Sequence, residues 1–465
     1  MIPMTLAEVA ACTDGVVVGA DPNTVVTGFA SVDSRSVAPH GLFVAVAGQH
    51  IDGHEFAPAA VAGGAAGCLV SRPVDAPAVH VADTVVALGR LAAELRTRLT
   101  DCMVVAITGS QGKTSTKDLV HQLLARRGEA VASAGSFNNE IGLPLTVLRA
   151  TATTRYLVLE MGARAPGDIT YLCDLARPDI GLVLNVGVAH VGEFGTRAEI
   201  ARAKGELVES LPVTGTAVLN LDDPLVAAMG GRTSAEVVTY GEDPRADVRL
   251  DQVCLDAGGY PGMTLSHGDD RAAVTLRLLG EHSARNGVAA AAVALTAGMA
   301  LSDVTRGLSE ATATSRWRME PHERPDGVLV LNDAYNANPD SMLAALRTLV
   351  SVGRGRRRTV AVLGEMLELG AMSEREHAAI GRLVAQLGVS QLLVVGENAR
   401  ALHEAARVDG SWDSEPVLVA DADAATDWLH HHLRPHDVVL VKASRAVGLE
   451  RVAAALLTAG RGVSR

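Results

Sequence analysis

Glycines, a lysine and hydroxyl side chains follow an apolar run in the segment VVAITGSQGKTST, residues 104–116. A strand, a glycine turn and a helix in this order form a phosphate-binding loop, because backbone N–H groups and a helix N-terminus face the anion. Lys113 would neutralise the phosphate and Thr114 could bind Mg²⁺, and an ordinary strand-to-helix turn needs neither side chain. Only two residues separate Gly109 from Gly112, whereas the common pattern has four between its glycines. The segment therefore predicts a phosphate site outside the common switch and motor families.

Two further polar residues stand at the ends of apolar runs. Glu160 closes the run in YLVLEMGA, and His190 follows the run in GLVLNVGVAHVGEFG. Open α/β sheets place their ligands at the carboxyl ends of strands. Glu160 is then either a metal ligand or a salt-bridged core residue, and His190 alone would be a packed loop histidine. Together with Thr114 they form an oxygen and imidazole set suitable for Mg²⁺.

Two residues on expected helices have less specific patterns. Lys204 lies well inside the helix of TRAEIARAKGELVESL, where position alone favours a solvated lysine. Asn286 follows His282 by one helical turn in EHSARNGVAAAAVAL. Its side-chain amide could contact an adenine edge or cap the following helix, and the residues by themselves favour neither.

The last third of the chain supplies polar and cationic candidates. Asp333, Asn336 and Asn338 leave an apolar run in VLVLNDAYNANPDSM, which suits a ribose, a metal-bound water or an ordinary turn. Cationic side chains on a separate domain could close on bound phosphate and stabilise a transition state, or they could be plain surface charge. These cations are Arg316, Arg318, Lys442 and Arg445, near Ser444.

The elements that must position these residues alternate between short apolar runs and helical stretches, which predicts parallel α/β structure. Helix starts are predicted at the capping boxes Thr196–Glu199 and Ser373–Glu376, and at Pro339 after Asn338. The expected strands are 103–109, 155–161, 179–186, 216–221, 328–333, 359–364, 391–396 and 437–442.

A chain of 465 residues exceeds what one hydrophobic core supports. Seams fall where a helix ends before the phosphate loop and where charges and prolines interrupt the pattern near 313–327. We therefore expect three domains, 1–99, 100–313 and 314–465.

Composition limits the partners and the compartment. A net charge of −12 argues against nucleic acid as the main partner. Five dispersed cysteines indicate free thiols in a reducing compartment. We find neither a signal-peptide pattern nor an apolar segment long enough for membrane insertion, and we expect a soluble cytoplasmic monomer.

Together these motifs resemble the Mur ligases, ATP-dependent enzymes that build the peptide stem of bacterial peptidoglycan. The family's phosphate loop has the short form G-[ST]-x-G-K-[ST], which TGSQGKTS matches. The resemblance implies an α/β fold of three domains: a small UDP-binding N-terminal domain, a central P-loop ATPase-like parallel sheet domain and a Rossmann-like C-terminal domain.

Within the family, the motifs are most similar to those of the member that joins D-alanyl-D-alanine to UDP-N-acetylmuramoyl-tripeptide. The diaminopimelate-adding member usually carries a D-N-P-R segment, which this chain lacks. The alternatives are a diaminopimelate- or lysine-adding ligase, or an ATP-binding regulatory protein without catalysis. The supporting segments are SFNNEIGLPLTVL (136–148), LEMGARAPGDI (159–169), AKGELV (203–208), NDAYNANPDSM (332–342), LGEMLELG (363–370) and VLVKASRAVGLE (439–450).

The resemblance also implies roles for individual residues. Lys204 matches a lysine that CO₂ converts to a carbamate, an anionic ligand for Mg²⁺, which reverses its reading as a solvated lysine. Two Mg²⁺ ions would be held by Thr114, Glu160, His190 and carbamylated Lys204. The residues implied to be catalytic are Lys113, Lys204, Arg318 and His190. Contacts with ATP are implied for Gly109, Ser110, Gln111, Gly112, Lys113, Thr114, Ser115, Asn286, Arg318, Asp333 and Asn336, and contacts with the UDP-linked substrate for Ser34, Arg35, Asn138, Asn139 and Arg164.

One segment departs from the family's pattern. In the family, the segment that contains this arginine often has the sequence P-G-R-M-E. In this chain the same segment is Arg316-Trp317-Arg318-Met319-Glu320. The arginine is retained, while the hinge-like proline and glycine are replaced.

Overall fold

A computed structural model describes residues 1–48, 51–187, 195–409 and 415–459 of the protein. The chain builds three main sheets, one after another along the sequence. The predicted α/β class is confirmed.

The first sheet has five short strands in the order β2-β7-β6-β5-β4, and β1 and β3 form a separate antiparallel pair. Only β2 runs antiparallel to its neighbour. The strands are β1 (Met4–Thr5), β2 (Val16–Val18), β3 (Val25–Val26), β4 (Ala30–Ser31), β5 (Leu42–Val44), β6 (Gly67–Val70) and β7 (Ala78–His80). The helices are α1 (Leu6–Thr13), α2 (Ala57–Ala62) and α3 (Thr84–Thr97), with 3₁₀ turns at Ser34–Ser36 and Gly53–Phe56.

The central sheet has nine strands in the order β16-β15-β14-β13-β12-β11-β8-β10-β9. Seven are parallel, and an antiparallel hairpin extends the far edge. The strands are β8 (Met103–Thr108), β9 (Ala130–Ala132), β10 (Tyr156–Glu160), β11 (Ile180–Val183), β12 (Thr216–Asn220), β13 (Glu236–Gly241), β14 (Val248–Leu255), β15 (Pro261–His267) and β16 (Asp270–Thr275). The helices are α4 (Lys113–Leu124), α5 (Gly142–Val147), α6 (Asp168–Ala176), α7 (Arg197–Glu209), α8 (Pro224–Ala227), α9 (Glu281–Thr296) and α10 (Leu301–Glu310), with a 3₁₀ turn at Ala228–Arg232.

The third sheet has six strands in the order β17-β18-β22-β19-β20-β21, parallel except for β17. The strands are β17 (Glu320–Glu323), β18 (Leu329–Asn332), β19 (Thr359–Gly364), β20 (Gln391–Val395), β21 (Val417–Val419) and β22 (Val438–Lys442). The helices are α11 (Pro339–Gly353), α12 (Ser373–Gln386), α13 (Arg400–Asp409), α14 (Ala422–His432) and α15 (Glu450–Ala459), with 3₁₀ turns at Gly370–Met372, Glu397–Ala399 and Arg445–Val447.

The phosphate loop leaves the central sheet where the strand order reverses. Strand β8 is flanked by β10 on one side and β11 on the other, and its last five residues are fully buried. Open α/β sheets bind ligands at such a switch point, beyond the carboxyl ends of the strands. Glu160, the last residue of β10, pairs in register with Ile107 of β8. The fold thus brings the end of β10 beside the loop that follows β8.

Helix α3 joins the first two sheets into a continuous core. Its buried residues Leu88, Leu91 and Leu95 belong to the same apolar cluster as Leu42 of β5 and Leu159 of β10. A helix that packs on both sides limits relative motion of the first two sheets, because sliding would expose apolar surface to water.

Each expected strand is present, with ends that differ by up to three residues, and a helix begins at each of the three predicted starts. Asn338 caps α11 through a capping box with Ser341, and the Thr196 hydroxyl accepts a bond from the Glu199 N–H. Helix α12 does begin at Ser373, but the capping box predicted at Ser373–Glu376 is wrong. A 3₁₀ turn runs directly into α12, so the backbone of Ser373 is already helical and its side chain caps nothing.

No helix in the described part of the chain is long and apolar enough to cross a lipid bilayer.

Candidate active site

The phosphate loop has the backbone shape that its glycines permit. Gly112, which precedes α4, is left-handed with φ of 81°, and no side chain caps the helix. The first N–H groups of a helix have no acceptor within it. The amides of Lys113, Thr114 and Ser115 are thus the donors that α4 offers to an anion.

Asn185, which the motif analysis did not single out, holds the front of this loop. Its Oδ1 accepts bonds from the N–H groups of Ser110 (3.1 Å) and Gln111 (3.0 Å), and its Nδ2 donates to the Gln111 carbonyl. Ser110 Oγ accepts from the N–H of Gly187. Two of the implied phosphate donors are therefore used to fix the loop. The sequence feature that could have identified Asn185 is its position as the polar residue at the end of the apolar run GLVLN.

Lys113 bends back over the loop. Its ammonium donates a 2.7 Å bond to the carbonyl of Gly109. Burial lowers the pKa of Lys113, and the nearby Glu160 carboxylate opposes that fall. A partly desolvated ammonium lies where a phosphate on the α4 N-terminus would need a counter-charge.

Glu160 is buried, with 1% of its surface exposed. Its Oε2 accepts a 2.8 Å bond from the Thr114 hydroxyl, and its Oε1 accepts a 2.7 Å bond from Asn138 Nδ2. Within the described ranges no salt bridge reaches this carboxylate, and its two bonds are to a hydroxyl and an amide. Hydroxyl and carboxylate oxygens are ligands that Mg²⁺ prefers, and Thr114 and Glu160 present both types together.

Lys204 is buried inside α7 with 3% of its surface exposed, so the expectation of a solvated helix lysine is wrong. In the parts of the chain that are described, its ammonium has no salt bridge. Burial places the pKa of Lys204 well below its usual range, and the charge of Lys113 adds to the fall. His190 lies outside the described residues.

Arg318 reaches the loop from the last third of the chain. Its Nη2 donates a 3.1 Å bond to the Thr114 hydroxyl, and its guanidinium carbon lies 4.1 Å from the centre of the Tyr335 ring. Tyr335 in turn bonds through its hydroxyl to Ser136 Oγ. The expected closure of a cationic residue on the phosphate loop is thus present in the geometry.

Asp333 holds Lys442 rather than leaving it free. Lys442 Nζ donates to Asp333 Oδ2 at 2.7 Å and to the Asn336 carbonyl at 2.8 Å, while the Met319 N–H bonds to Asp333 Oδ1. Burial lowers the pKa of Lys442, and the Asp333 charge opposes this. Lys442 is therefore a buried partner of Asp333 and not a surface charge. Asn336 lines the cleft with an exposed side chain.

Asn286 lies beside the phosphate loop. A Cβ at Gly112 would come within 2.6 Å of Asn286 Oδ1, so only glycine permits this approach. The residue lies in the body of α9, which begins at Glu281, and the helix-cap alternative is wrong. His282, one turn earlier, has a buried Nδ1 with no hydrogen-bond partner among the residues described, and burial lowers the pKa of His282.

The residues implied for the UDP-linked substrate fall in two places. Asn139 and Arg164 line the cleft, although Asn139 Oδ1 also accepts from the Gly142 N–H at the start of α5. Ser34 and Arg35 lie in the first sheet's region, outside the cleft lining. Arg35 has an 88% exposed side chain and pairs with Asp33, which lowers the pKa of that carboxyl to about 2.

The cleft between the second and third sheets has a volume of about 1070 Å³. It is lined by the loop residues 110–115, by Glu160, and by Arg318 and Asp333 from the opposite side. Ligand sites of this size are typical of nucleotides and larger substrates. In the described ranges no three His, Cys, Asp or Glu side chains cluster as a metal site.

Three sequence families match successive parts of the chain. They are the Mur ligase family catalytic domain at 27–95, the Mur ligase middle domain at 107–294 and the Mur ligase glutamate ligase domain at 317–445.

Relatives match over nearly the whole length. A protein of Mycobacterium tuberculosis named UDP-N-acetylmuramoyl-tripeptide–D-alanyl-D-alanine ligase is 45% identical, with 98% of each chain covered. A protein of the same name from Escherichia coli is 35% identical, with 98% of this chain and 99% of that one covered.

Solved structures agree with these matches. A crystal structure of MurF from Acinetobacter baumannii superposes with a TM-score of 0.86 at 31% identity, covering 98% of this chain and 99% of that one. MurF ligase from Thermotoga maritima in complex with ADP gives a TM-score of 0.80 at 29% identity, covering 94% and 99%. The resemblance drawn from the motifs is confirmed: this chain belongs to the Mur ligase family.

Proposed function

We propose that this ATP-dependent ligase joins D-alanyl-D-alanine to UDP-N-acetylmuramoyl-tripeptide, giving the UDP-linked pentapeptide, ADP and phosphate in peptidoglycan precursor synthesis. Relatives that match over nearly the whole length, at 45% and 35% identity, bear the name of this activity. The observation that carries the proposal is the bond from Arg318 to Thr114, which closes the third sheet's region on the phosphate loop.

The residues suggest how the reaction proceeds. Lys113 and the first amides of α4 would hold the γ-phosphate of ATP, and Arg318 would neutralise charge from the opposite side. The carboxylate ending the tripeptide attacks the γ-phosphorus and ADP departs, which leaves an acyl phosphate. The amine of D-alanyl-D-alanine then attacks the acyl carbon. The tetrahedral intermediate loses a proton and expels phosphate, and the new amide remains.

Most of this catalysis is positioning. The two substrates and ATP must meet in one cleft, and a site assembled from two sheets can align them and exclude water. Asn286 beside Gly112, together with Asp333 and Asn336 across the cleft, would hold the nucleotide.

Magnesium fits the oxygen donors of Thr114 and Glu160, which already lie within hydrogen-bond distance of one another. His190 and carbamylated Lys204 would complete the ligands for two ions. When bound, Mg²⁺ neutralises phosphate charge near the loop. Thr114 would exchange its bond to Glu160 for a metal bond, and Asn138 would keep the carboxylate oriented.

Carbamylation of Lys204 is supported by its environment. Only a neutral amine reacts with CO₂, and burial favours that form because it lowers the pKa of this lysine. The carbamate would replace this neutral amine with an anion beside the Lys113 ammonium, and would supply oxygen donors for Mg²⁺.

We place the domain boundaries near residues 99 and 313, which fall between the three sheets. Ser34 and Arg35 would bind the uridine diphosphate, and Asn138, Asn139 and Arg164 the sugar and peptide. We propose a monomer that acts in the cytoplasm, where its five free cysteines remain reduced.

The test is phosphate release from ATP and Mg²⁺, with UDP-N-acetylmuramoyl-tripeptide and D-alanyl-D-alanine supplied together and each omitted in turn. We expect release only with both, and a UDP-linked pentapeptide by mass spectrometry. Release with a single amino acid and the shorter UDP-linked dipeptide would instead identify a diaminopimelate- or lysine-adding ligase. Binding of ATP without release for any substrate pair would identify a regulatory protein.

A further inference from the structure

Arg318 lies between two residues with left-handed backbone. Trp317 has φ of 59° and Met319 has φ of 52°, a region that bulky side chains rarely adopt. Such conformations persist only where the surroundings enforce them, and they concentrate at functional positions. The backbone that presents Arg318 is therefore held in place by contacts elsewhere.

The contacts of Trp317 form the first part of that support. The guanidinium carbon of Arg445 lies 4.3 Å from the centre of the Trp317 ring, and Glu450 anchors Arg445 with a 2.5 Å ion pair. The Trp317 N–H donates to Glu320, and its carbonyl accepts from the Tyr335 N–H. A glycine would adopt this φ without strain, but it would give Arg445 nothing to stack on.

Tyr335 forms the second part. Its ring lies under the Arg318 guanidinium at 4.1 Å, and the Trp317 ring is 6.4 Å away on a tilted plane. The Tyr335 hydroxyl bonds to Ser136, two residues before Asn138, which orients Glu160. Arg318 Nε is buried and has no hydrogen-bond partner in the described part of the chain, so no carboxylate there fixes this guanidinium through Nε.

We propose that Tyr335 and Trp317 are positioning residues for Arg318. The two aromatic rings, with Arg445 on the outer face, replace the carboxylate that usually fixes an arginine, and they direct Nη2 at the Thr114 hydroxyl. Among the described residues no carboxylate forms an ion pair with Arg318, so an arginine oriented by rings keeps its charge available for the phosphate. The assignment of Arg318 to phosphate rests on the proposed function; its orientation by the rings does not.

The orientation can be tested without any substrate. In protein carrying ¹⁵N-labelled arginine, the Arg318 Nε–H signal is identified by its loss in Arg318→Lys. A proton above an aromatic ring is shifted upfield by the ring current, and we expect that shift in the native chain. It should persist in Tyr335→Phe and vanish in Tyr335→Leu. An unshifted native signal, or a signal unmoved by Tyr335→Leu, would overturn the orientation whatever the enzyme's substrates are.

The catalytic consequence is tested by a double-mutant cycle on phosphate release, using the substrate pair that gives turnover. We expect Tyr335→Leu to lower kcat about 10- to 100-fold with the KM for ATP changed less than about threefold, and Tyr335→Phe to lose less than about fivefold. In Arg318→Ala, adding Tyr335→Leu should cost nothing more, because the ring acts through the arginine. A further fall of the same size in the double variant would show that Tyr335 acts by another route.

Trp317→Gly removes the ring and relieves the strain of the left-handed backbone. We therefore expect this variant to fold even if the substitutions of Tyr335 and Arg318 prevent folding. We expect kcat to fall about tenfold and the melting temperature to stay level or rise. Trp428→Leu is the matched control, since Trp428 also stacks on a side chain, His432 at 4.1 Å, on the distant α14. Native kcat in Trp317→Gly would remove Trp317 from the proposal.

Discussion

Thr114 Oγ1 donates a 2.8 Å hydrogen bond to Glu160 Oε2, which ties the start of α4 to the end of β10. Arg318 donates to the same hydroxyl from across the cleft. One threonine thus connects the phosphate loop, a buried carboxylate and the cation that closes the site. A hydroxyl between these two charged neighbours is a sensitive point for substitution, because it contacts both the carboxylate and the guanidinium.

We expect Glu160→Gln to lower the rate of phosphate release about 100- to 1000-fold, because the side chain keeps its shape but loses the charge that would bind Mg²⁺. The fold should survive, since an amide can still accept from Asn138 and donate to Thr114. The measurement is kcat against Mg²⁺ concentration, with a thermal melt alongside.

Glu129→Gln is the matched control for that substitution. Glu129 also accepts bonds from threonine hydroxyls, those of Thr151, Thr153 and Thr154, but it lies outside the cleft lining. Its variant should keep the native rate. Full activity in Glu160→Gln at every Mg²⁺ concentration would remove Glu160 from the metal site.

Lys113→Met should reduce ATP-dependent phosphate release about 1000-fold, because the counter-charge of the transferred phosphoryl group is lost. Burial lowers the pKa of Lys113, which means that the charged form of this side chain costs free energy in the folded state. The variant should therefore be no less stable than the native chain. Arg126→Met, which breaks a surface pair with Glu310 just beyond α4, should leave the rate unchanged. Stopped-flow phosphate release and calorimetry check both expectations; a Lys113→Met protein that turns over ATP normally contradicts the role.

The loop and the strands were predictable because their signals are local. An apolar run followed by G-K-T-S needs no distant partner to be recognised, and the glycine conformation at Gly112 follows from the turn itself. The capping box predicted at Ser373 was wrong for a different reason. The capping box was present in the sequence, but a 3₁₀ turn that continues into α12 leaves that residue inside the helix.

Contacts between elements that are distant in the sequence could not be predicted from local sequence patterns. The burial of Lys204 depends on what packs over α7, and periodicity alone indicated a solvated side chain. Asn185 holds the phosphate loop from 74 residues away, and Tyr335 supports Arg318 only because the third sheet docks on the second. Such contacts join elements whose relative placement no single segment specifies. Resemblance to a family, and not the local pattern, argued against a solvated Lys204.

Arg35→Ala should raise the KM for the UDP-linked substrate about 10- to 150-fold, because a hydrogen bond to a charged group is lost. The KM for ATP and kcat should hardly change, because Arg35 lies outside the cleft. Arg35 lowers the pKa of Asp33 to about 2, and without it that pKa rises towards the usual 3.8. Asp33 is ionised in either case above about pH 5, so the change in KM should be independent of pH from there upward.

Arg245→Ala provides the control for that measurement. Arg245 pairs with Asp243 through the same Nε and Nη2 bonds that join Arg35 to Asp33, at the same two-residue spacing. Any effect of exposing an unpaired aspartate is thus reproduced away from the proposed substrate site. Equal KM values in Arg35→Ala and the native enzyme would place the uridine diphosphate elsewhere.

Lys204→Met should abolish ligation and yet stabilise the protein in CO₂-free buffer. The folded state holds Lys204 with a pKa well below its usual 10.5, so the unfolded chain binds this proton more tightly than the folded one. Native stability therefore rises with pH between the folded pKa and 10.5, and the advantage of the variant, roughly 1–3 kcal/mol at its largest, shrinks over the same window. Chemical denaturation of both proteins from neutral to alkaline pH checks the slope. Added bicarbonate should stabilise the native protein and leave Lys204→Met unchanged, because only a lysine can form the carbamate. A native protein indifferent to bicarbonate, or a Lys204→Met enzyme with normal turnover, would exclude that modification.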